Sequence, residues 1–159
     1  VLEEASPVFQ PSDVDARLCA ESDERAEQSG VLGTKVLPAR VVDVAEPQWA
    51  VDSFDGCLAI NVLHVAPQDH FFQGAAAALR PHGLLGIYGP FIVDGRYVGP
   101  MSERFDRLLR ANRYSGIPTL ERCDQRAHAA GLDRALDLIY LPDNRQFLVY
   151  AKRGDSAAS

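Results

Sequence analysis

The stretch FDGCLAINVLHVAP, residues 54–67, joins a nearly continuous apolar run to a polar end. Its first nine residues are typical of a strand buried on both faces, as in a parallel sheet covered by helices. Residues 68–83, QDHFFQGAAAALRPHG, place apolar side chains at helical spacing before Pro81 and Gly83 end the helix. A second strand, LLGIYGPF, follows at residues 84–91. This order of strand, helix and strand predicts neighbouring parallel strands.

The flanking segments continue this alternation. On the N-terminal side we predict a strand at Val8–Gln10, a helix at Asp15–Gln28 and a strand at Ala39–Val44. On the C-terminal side we predict helices at Ser102–Arg113, capped by Ser102, and at Thr119–Ala130, ending at Gly131.

The C-terminal part has a different pattern. RALDLIYLP (134–142) and RQFLVYAKR (145–153) flank Asp143 and Asn144, which is typical of two antiparallel strands joined by a tight turn. The sequence therefore predicts one α/β domain, residues 1–153, whose mostly parallel sheet has one reversed strand. Residues 154–159 are predicted to be a flexible tail.

Composition narrows the classes of partner. The 159 residues carry a net charge of −6, and the basic residues are scattered, so we expect no nucleic-acid partner. Cys19, Cys57 and Cys123 form no Cys-x-x-Cys pair and are typical of reduced thiols in a cytoplasmic protein, and we predict no metal site. We find no run of about 18 apolar residues and no signal-peptide pattern, so we expect neither a membrane span nor secretion. A small-molecule ligand is expected, and the chain could be a monomer or a homodimer.

Polar residues close the predicted strands, at the edge where ligands bind in an open α/β sheet. Asp13 closes one strand, and its two carboxylate oxygens could accept hydrogen bonds from both hydroxyls of a ribose, with Asp15 as a competitor. Asp43 closes the next strand. Its carboxylate either meets the exocyclic amine of an adenine or caps a turn, and its position does not separate the two.

Asn61, His64 and Tyr88 close the following strands. His64 has an intrinsic pKa near neutrality and is a candidate general base or hydrogen-bond donor, the alternative being a structural hydrogen bond. Tyr88 could present its phenol to a substrate or simply pack at a turn.

Six segments together resemble a known family. In order they are QPSDVDAR (10–17), VVDV (41–44), INVLHVAP (60–67), LLGIYGPF (84–91), DGRYVGPMSERFDRLLR (94–110) and LPDNRQFLVY (141–150). They resemble the class I S-adenosylmethionine-dependent methyltransferase-like proteins known as domain of unknown function 938, over Phe9–Lys152. The resemblance implies a Rossmann-like sandwich with a mostly parallel seven-stranded sheet of order 3-2-1-4-5-7-6, in which strand 7 is antiparallel.

The resemblance also implies a function, the transfer of a methyl group from S-adenosylmethionine to a small molecule. The implied cofactor-binding residues are Glu3, Asp13 at the ribose, Asp43 and Val44 at the adenine, and Asn61 at the methionine part. The implied substrate-binding residues are His64, Tyr88 and Asn144, with His64 as base and Tyr88 as a positioning group.

One departure from the family lies at the N-terminal end of the chain. The family follows its first strand with a loop of the type Glu-x-x-Ser-Gly-x-Gly-x-His and a helix, whereas Glu3 is separated from Pro7 by Glu-Ala-Ser. A parallel crossover needs a dozen residues or more, so we expect the N-terminal part to be incomplete, with about 20 residues missing between Glu3 and Pro7.

A real deletion would favour a catalytically inactive binding or regulatory protein of the same fold. A dinucleotide-dependent oxidoreductase is a weaker third interpretation, because the C-terminal hairpin does not fit it.

Overall fold

A computed structural model describes residues 6–46, 49, 51–142 and 145–154. The chain divides into two compact units, residues 1–43 and residues 44–159. The smaller unit contains β1 (Ser12–Asp13), α1 (Ala16–Gln28) and β2 (Arg40–Val41). The larger unit contains β3 (Phe54–Ile60), α2 (Gln68–Ala78), β4 (Leu79–Gly89), β5 (Ile92–Val93), β6 (Arg96–Tyr97), α3 (Ser102–Ala111), α4 (Leu120–Ala129), β7 (Leu132–Arg134), β8 (Ile139–Leu141) and β9 (Arg145–Lys152). The prediction of a single domain over residues 1–153 stays a prediction.

The smaller unit is a short parallel pair with one helix. Strands β1 and β2 pair in parallel, with Asp13 opposite Val41. The predicted helix is confirmed, and it begins where the Asp15 side chain accepts a hydrogen bond from the backbone N–H of Arg17 at 2.8 Å. The strand predicted at residues 8–10 forms only an isolated bridge at Phe9. The ladder begins beyond Pro11, which has no N–H to donate.

The larger unit contains a mixed sheet rather than the predicted mostly parallel one of seven strands. Its strand order is β3-β4-β9-β7, with β8 also paired to β9. Strands β3 and β4 are parallel because α2 supplies the crossover, whereas β9 is antiparallel to β4, β7 and β8. The connections at residues 135–138 and 143–144 are too short for a parallel crossover. The order 3-2-1-4-5-7-6 is not confirmed, and the strand predicted to end at Glu3 lies outside the described residues.

Helices α2 and α4 bury one face of this sheet. Phe72 is completely buried, and its ring meets those of Phe71 at 5.4 Å and Tyr150 at 5.9 Å in edge-to-face geometry. Leu85 and Ile87 of β4 join the same core. Phenylalanine to alanine changes at such positions cost about 3–5 kcal/mol, so this layer supplies much of the unit's stability.

The opposite face of the sheet is apolar and exposed. Leu58 and Ile60 of β3 are 63% and 57% exposed, and Leu84 of β4 is 49% exposed. The prediction that β3 is buried on both faces is therefore wrong for the described part of the chain. Alternation along the strand sends Ala59 into the core and its two neighbours outward.

Helix ends follow the predicted signals in part. Helix α4 is confirmed, with the Thr119 hydroxyl accepting from the Arg122 N–H at 3.3 Å and Gly131 adopting a φ of 87° just beyond its end. Ser102 is not the cap of α3 but its first residue, because the chain enters through Met101. Across the described ranges no helix is long and apolar enough to cross a membrane.

Candidate functional site

The carboxyl ends of β3 and β4 bring two predicted site residues together. The backbone N–H of Asn61 donates to the carbonyl of Tyr88 at 2.9 Å, one residue beyond the parallel pair of Ile60 and Tyr88. Asn61 adopts a φ of 56°, a left-handed conformation that asparagine tolerates better than most residues. A Cβ atom added to Gly89 would lie 3.9 Å from Asn61 Oδ1, so the amide lies close to the end of β4.

His64 lies in the turn that follows β3 and is 8% exposed. Its ring packs edge-to-face on Phe105 of α3 at 5.3 Å, and its carbonyl accepts from the N–H of Gly116 at 2.9 Å. Burial lowers the pKa of His64, and the positive charge of Arg145 lowers it further. Within the described part of the chain its ring nitrogens form no hydrogen bond, so a neutral imidazole is available to accept a proton.

The N-terminal end of β9 reaches the same edge of the sheet because β9 runs antiparallel to β4. Gln146 pairs with Gly89 and is completely buried, and its Oε1 accepts from the N–H of Phe91 at 2.9 Å. Arg145 precedes it and acts on the charge of His64. Sequence reasoning did not single out either residue, because their place at this edge depends on the long-range pairing of β9 with β4.

A buried carboxylate holds α3 beside His64. Asp106 is 3% exposed and accepts from the Tyr97 hydroxyl at 2.8 Å, the Arg110 Nε at 2.9 Å and the Ile117 N–H at 2.6 Å. Burial opposes the ionisation of Asp106, but the hydrogen bonds from Arg110, Ile117 and Tyr97 outweigh it and lower its pKa. Because Gly116 precedes Ile117, this carboxylate also fixes the loop that binds the His64 carbonyl.

In the smaller unit, Asp13 and Asp43 lie at the carboxyl ends of adjacent parallel strands. Asp13 Oδ1 accepts from the N–H of Asp15 at 2.9 Å, which leaves Oδ2 without a hydrogen bond among the described residues. Asp15, the predicted competitor, serves as the cap of α1. Asp43 is exposed two residues beyond β2.

The remaining predicted site residues are distributed differently. Val44 belongs to the larger unit, where it is partly buried against the core. Glu3 and Asn144 lie outside the described residues. The roles assigned to all these residues stay predictions.

Solved structures share this fold at low sequence identity. A protein described as a candidate sarcosine dimethylglycine methyltransferase from Galdieria sulphuraria is 13% identical, with a TM-score of 0.75 over 92% of this chain and 70% of its own. Geranyl diphosphate methyltransferase in complex with SAM is 10% identical, with a TM-score of 0.71 over 95% and 71%. The cyclase SpnF is 16% identical, with a TM-score of 0.72 over 95% and 68%.

These similarities establish an α/β fold of the methyltransferase type. They do not define a reaction, because one of the three is described as a cyclase. A family model gives the closer relationship, since it matches residues 4–152. By this match the chain belongs to the family described as protein of unknown function, DUF938.

Proposed function

We propose that this protein is an S-adenosylmethionine-dependent methyltransferase acting on a small molecule. The observation that supports the proposal best is the fold shared with a methyltransferase whose structure was determined with SAM. The polar edge of the sheet, where Asn61 lies beside Tyr88 and His64 is held neutral, adds chemistry suited to the transfer.

The chemistry of the predicted cofactor-binding residues supports the proposal. The Oδ2 of Asp13 has acceptor capacity for a ribose hydroxyl, because only Oδ1 is used by the Asp15 turn. Asp43 and Val44 would hold the adenine, and Asn61, exposed at the end of β3, would hold the methionine part. When bound, the cofactor supplies an electrophilic methyl group on a sulfonium.

The protein's own task is to orient a nucleophile and remove its proton where needed. A ring nitrogen of His64 would accept that proton, since burial and Arg145 keep the imidazole neutral. The resulting imidazolium would be destabilised by Arg145, so the proton would pass readily to solvent. Tyr88, half-buried at the end of β4, would position the acceptor.

Calorimetric titration with S-adenosylhomocysteine tests the cofactor half of the proposal. Asp13→Asn keeps the turn acceptor but removes the charge, and we expect it to weaken binding about tenfold, the effect of a charge-assisted hydrogen bond. Glu21→Gln, an exposed change of the same charge on α1, should leave the affinity unchanged. Absence of binding to the unaltered protein would reject the proposal.

Release of S-adenosylhomocysteine in the presence of candidate acceptors tests the catalytic half. His64→Gln should reduce turnover by about 100-fold, as expected for loss of a general base, while leaving cofactor affinity intact. Equal turnover in the variant and the unaltered protein would remove His64 from the mechanism.

The second candidate is a binding or regulatory protein of the same fold without catalysis. It is favoured by one observation, that the first glycine of the sequence is Gly30, so no glycine-rich loop follows Glu3. Tandem mass spectrometry of the peptide spanning Glu3 and Pro7 separates the two. Additional residues between them would support the methyltransferase, whereas a continuous VLEEASPVF peptide without S-adenosylhomocysteine binding would support the alternative.

A further inference from the structure

A cavity of about 310 Å³ opens at the N-terminal ends of α2 and α4 in the larger unit. Three arginines line it, Arg110 from α3 and Arg122 and Arg126 from α4. Asp69 contributes the one carboxylate among its described lining residues. The cavity is therefore richer in positive than in negative side chains.

The arginines differ in how their charge is balanced. Arg126 donates from Nε to Asp69 Oδ1 at 2.6 Å and from Nη1 to Gln68 Oε1 at 3.0 Å, and Arg110 donates to the buried Asp106. The guanidinium of Arg122 has no acceptor among the described residues. Among the described residues, the charge of Arg122 therefore has no partner, whereas Arg110 and Arg126 at the same cavity are held by hydrogen bonds.

The backbone adds donors to the same wall. Helix α2 has 11 residues and starts after Pro67, which offers no side-chain cap. The N–H groups of residues 68–70 have no acceptor in the described part of the chain, and all three residues line the cavity. Unsatisfied N–H groups and the positive end of the helix dipole favour an anion, and they strengthen what the arginines already provide.

We propose that this cavity binds the oxyanion of a small metabolite, a phosphate monoester or a carboxylate. The planar guanidinium of Arg122, which has no acceptor in the described part of the chain, matches the two oxygens of such a group, and Arg126 and Arg110 are held in place to assist it. The volume suits a small molecule rather than a polymer chain. The titration of this site needs neither cofactor nor turnover, so its outcome is distinguishable from that of the proposed methyl transfer.

Titration of the ¹⁵N-labelled full chain by NMR with inorganic phosphate, and separately with succinate, tests the proposal. We expect saturable shifts of the amides of residues 68–70 with a Kd of about 1 mM for at least one probe at constant ionic strength. Arg122→Gln should weaken binding about tenfold, as for a hydrogen bond to a charged group. Arg104→Gln removes the same charge from an exposed position on α3 away from the cavity and should leave the Kd unchanged.

Asp69→Asn provides a test in the opposite direction. It removes the carboxylate that competes for Arg126, so binding should become tighter by a factor of about 3, in line with a surface charge interaction. Preference for phosphate would identify a phosphoryl ligand, and preference for succinate a carboxylate. Linear, unsaturable shifts with both probes, or equal weakening in the Arg122 and Arg104 variants, would overturn the proposal.

Discussion

At the scale of single residues, His64 carries the clearest consequence for pH. Its pKa is lowered in the folded protein, by burial first and by Arg145 second. Its contribution to stability is therefore complete above the unfolded value of about 6.5 and is lost as the pH falls through that value and then through the folded one.

This sign predicts how a variant should behave. The His64→Gln protein should lose less stability than the unaltered protein when the pH is lowered from 7.5 to 5.0, because glutamine has no proton to gain. Urea midpoints of both proteins at each pH measure the difference. Parallel changes in the two midpoints would show that His64 does not titrate in this range.

Gly116 is constrained by its neighbour as well as by its backbone. It adopts a φ of 79°, and an added Cβ would lie 2.5 Å from Asp106 Oδ1. Gly131 has a φ of 87° with open space around it, so Gly131→Ala isolates the backbone cost of about 1–2 kcal/mol. Gly116→Ala should cost about 1–3 kcal/mol more because the loop must move. Chemical denaturation measures the unfolding free energy of both variants. Equal losses would mean that the loop around Gly116 moves away from Asp106 at no cost.

The positions of some predicted site residues follow from the sequence, because strand ends are local signals. Asn61 and Tyr88 end apolar runs, and they meet at the sheet edge. Arg145 and Gln146 begin a strand instead, and only the antiparallel direction of β9 brings them to that edge. The burial of Asp106 has no local signal in the sequence, because its partners Tyr97 and Ile117 are brought to it by the tertiary fold.

At the scale of elements, the Asp106 carboxylate links α3 to the rest of the larger unit, through hydrogen bonds from Tyr97 and Ile117. Asp106→Asn should destabilise the protein by about 2 kcal/mol, because it weakens hydrogen bonds from a guanidinium and a buried N–H. Glu103→Gln, on the exposed face of the same helix and 3.8 Å from Arg107, should cost less than about 0.5 kcal/mol.

Thermal unfolding followed by circular dichroism compares the two variants. A loss as small for Asp106→Asn as for Glu103→Gln would show that the carboxylate is not needed to hold the helix. The two substitutions lie in the same helix, and each removes one negative charge.

Helix limits were more predictable than strand burial. Asp15, Thr119 and Gly131 act within one helical turn of their own positions, so the ends of α1 and α4 follow from the sequence. The exposure of Leu58 and Ile60 depends on which elements cover that face of the sheet. An apolar run in the sequence does not contain this information.

At the scale of the whole molecule, the two units differ in how much they bury. Among the described residues α1 buries only Cys19 and Ala26, and its unit has two strands of two residues each. Helix α2, of similar length, buries six residues. Short strands and a small core favour local opening.

Amide hydrogen exchange should therefore distinguish the units. We expect amides of α1 to exchange at least about tenfold faster than those of α2 and β9 under native conditions, because opening free energies follow the local core. Mass spectrometry of peptic fragments reports this directly. Equal protection in α1 and α2 would mean that the smaller unit opens only with global unfolding.

The fold class was predictable, but the strand order was not established. Alternating apolar runs and helical spacing identified an α/β chain, and the hairpin of β8 and β9 is confirmed. The complete order depended on a strand ending at Glu3, beyond the described residues. Long-range pairing of β4 with β9 also has no local signature, since the partners are joined through two helices.

The position of β9 in the sequence has a consequence for biosynthesis. Strands β4, β7 and β8 take their antiparallel partner from β9, which follows all of them. A ribosome adds about 5–20 residues per second, so β4 waits for seconds with one edge unpaired. Translation speed between Gly89 and Arg145 therefore sets how long the nascent chain is open to chaperones and to misassociation.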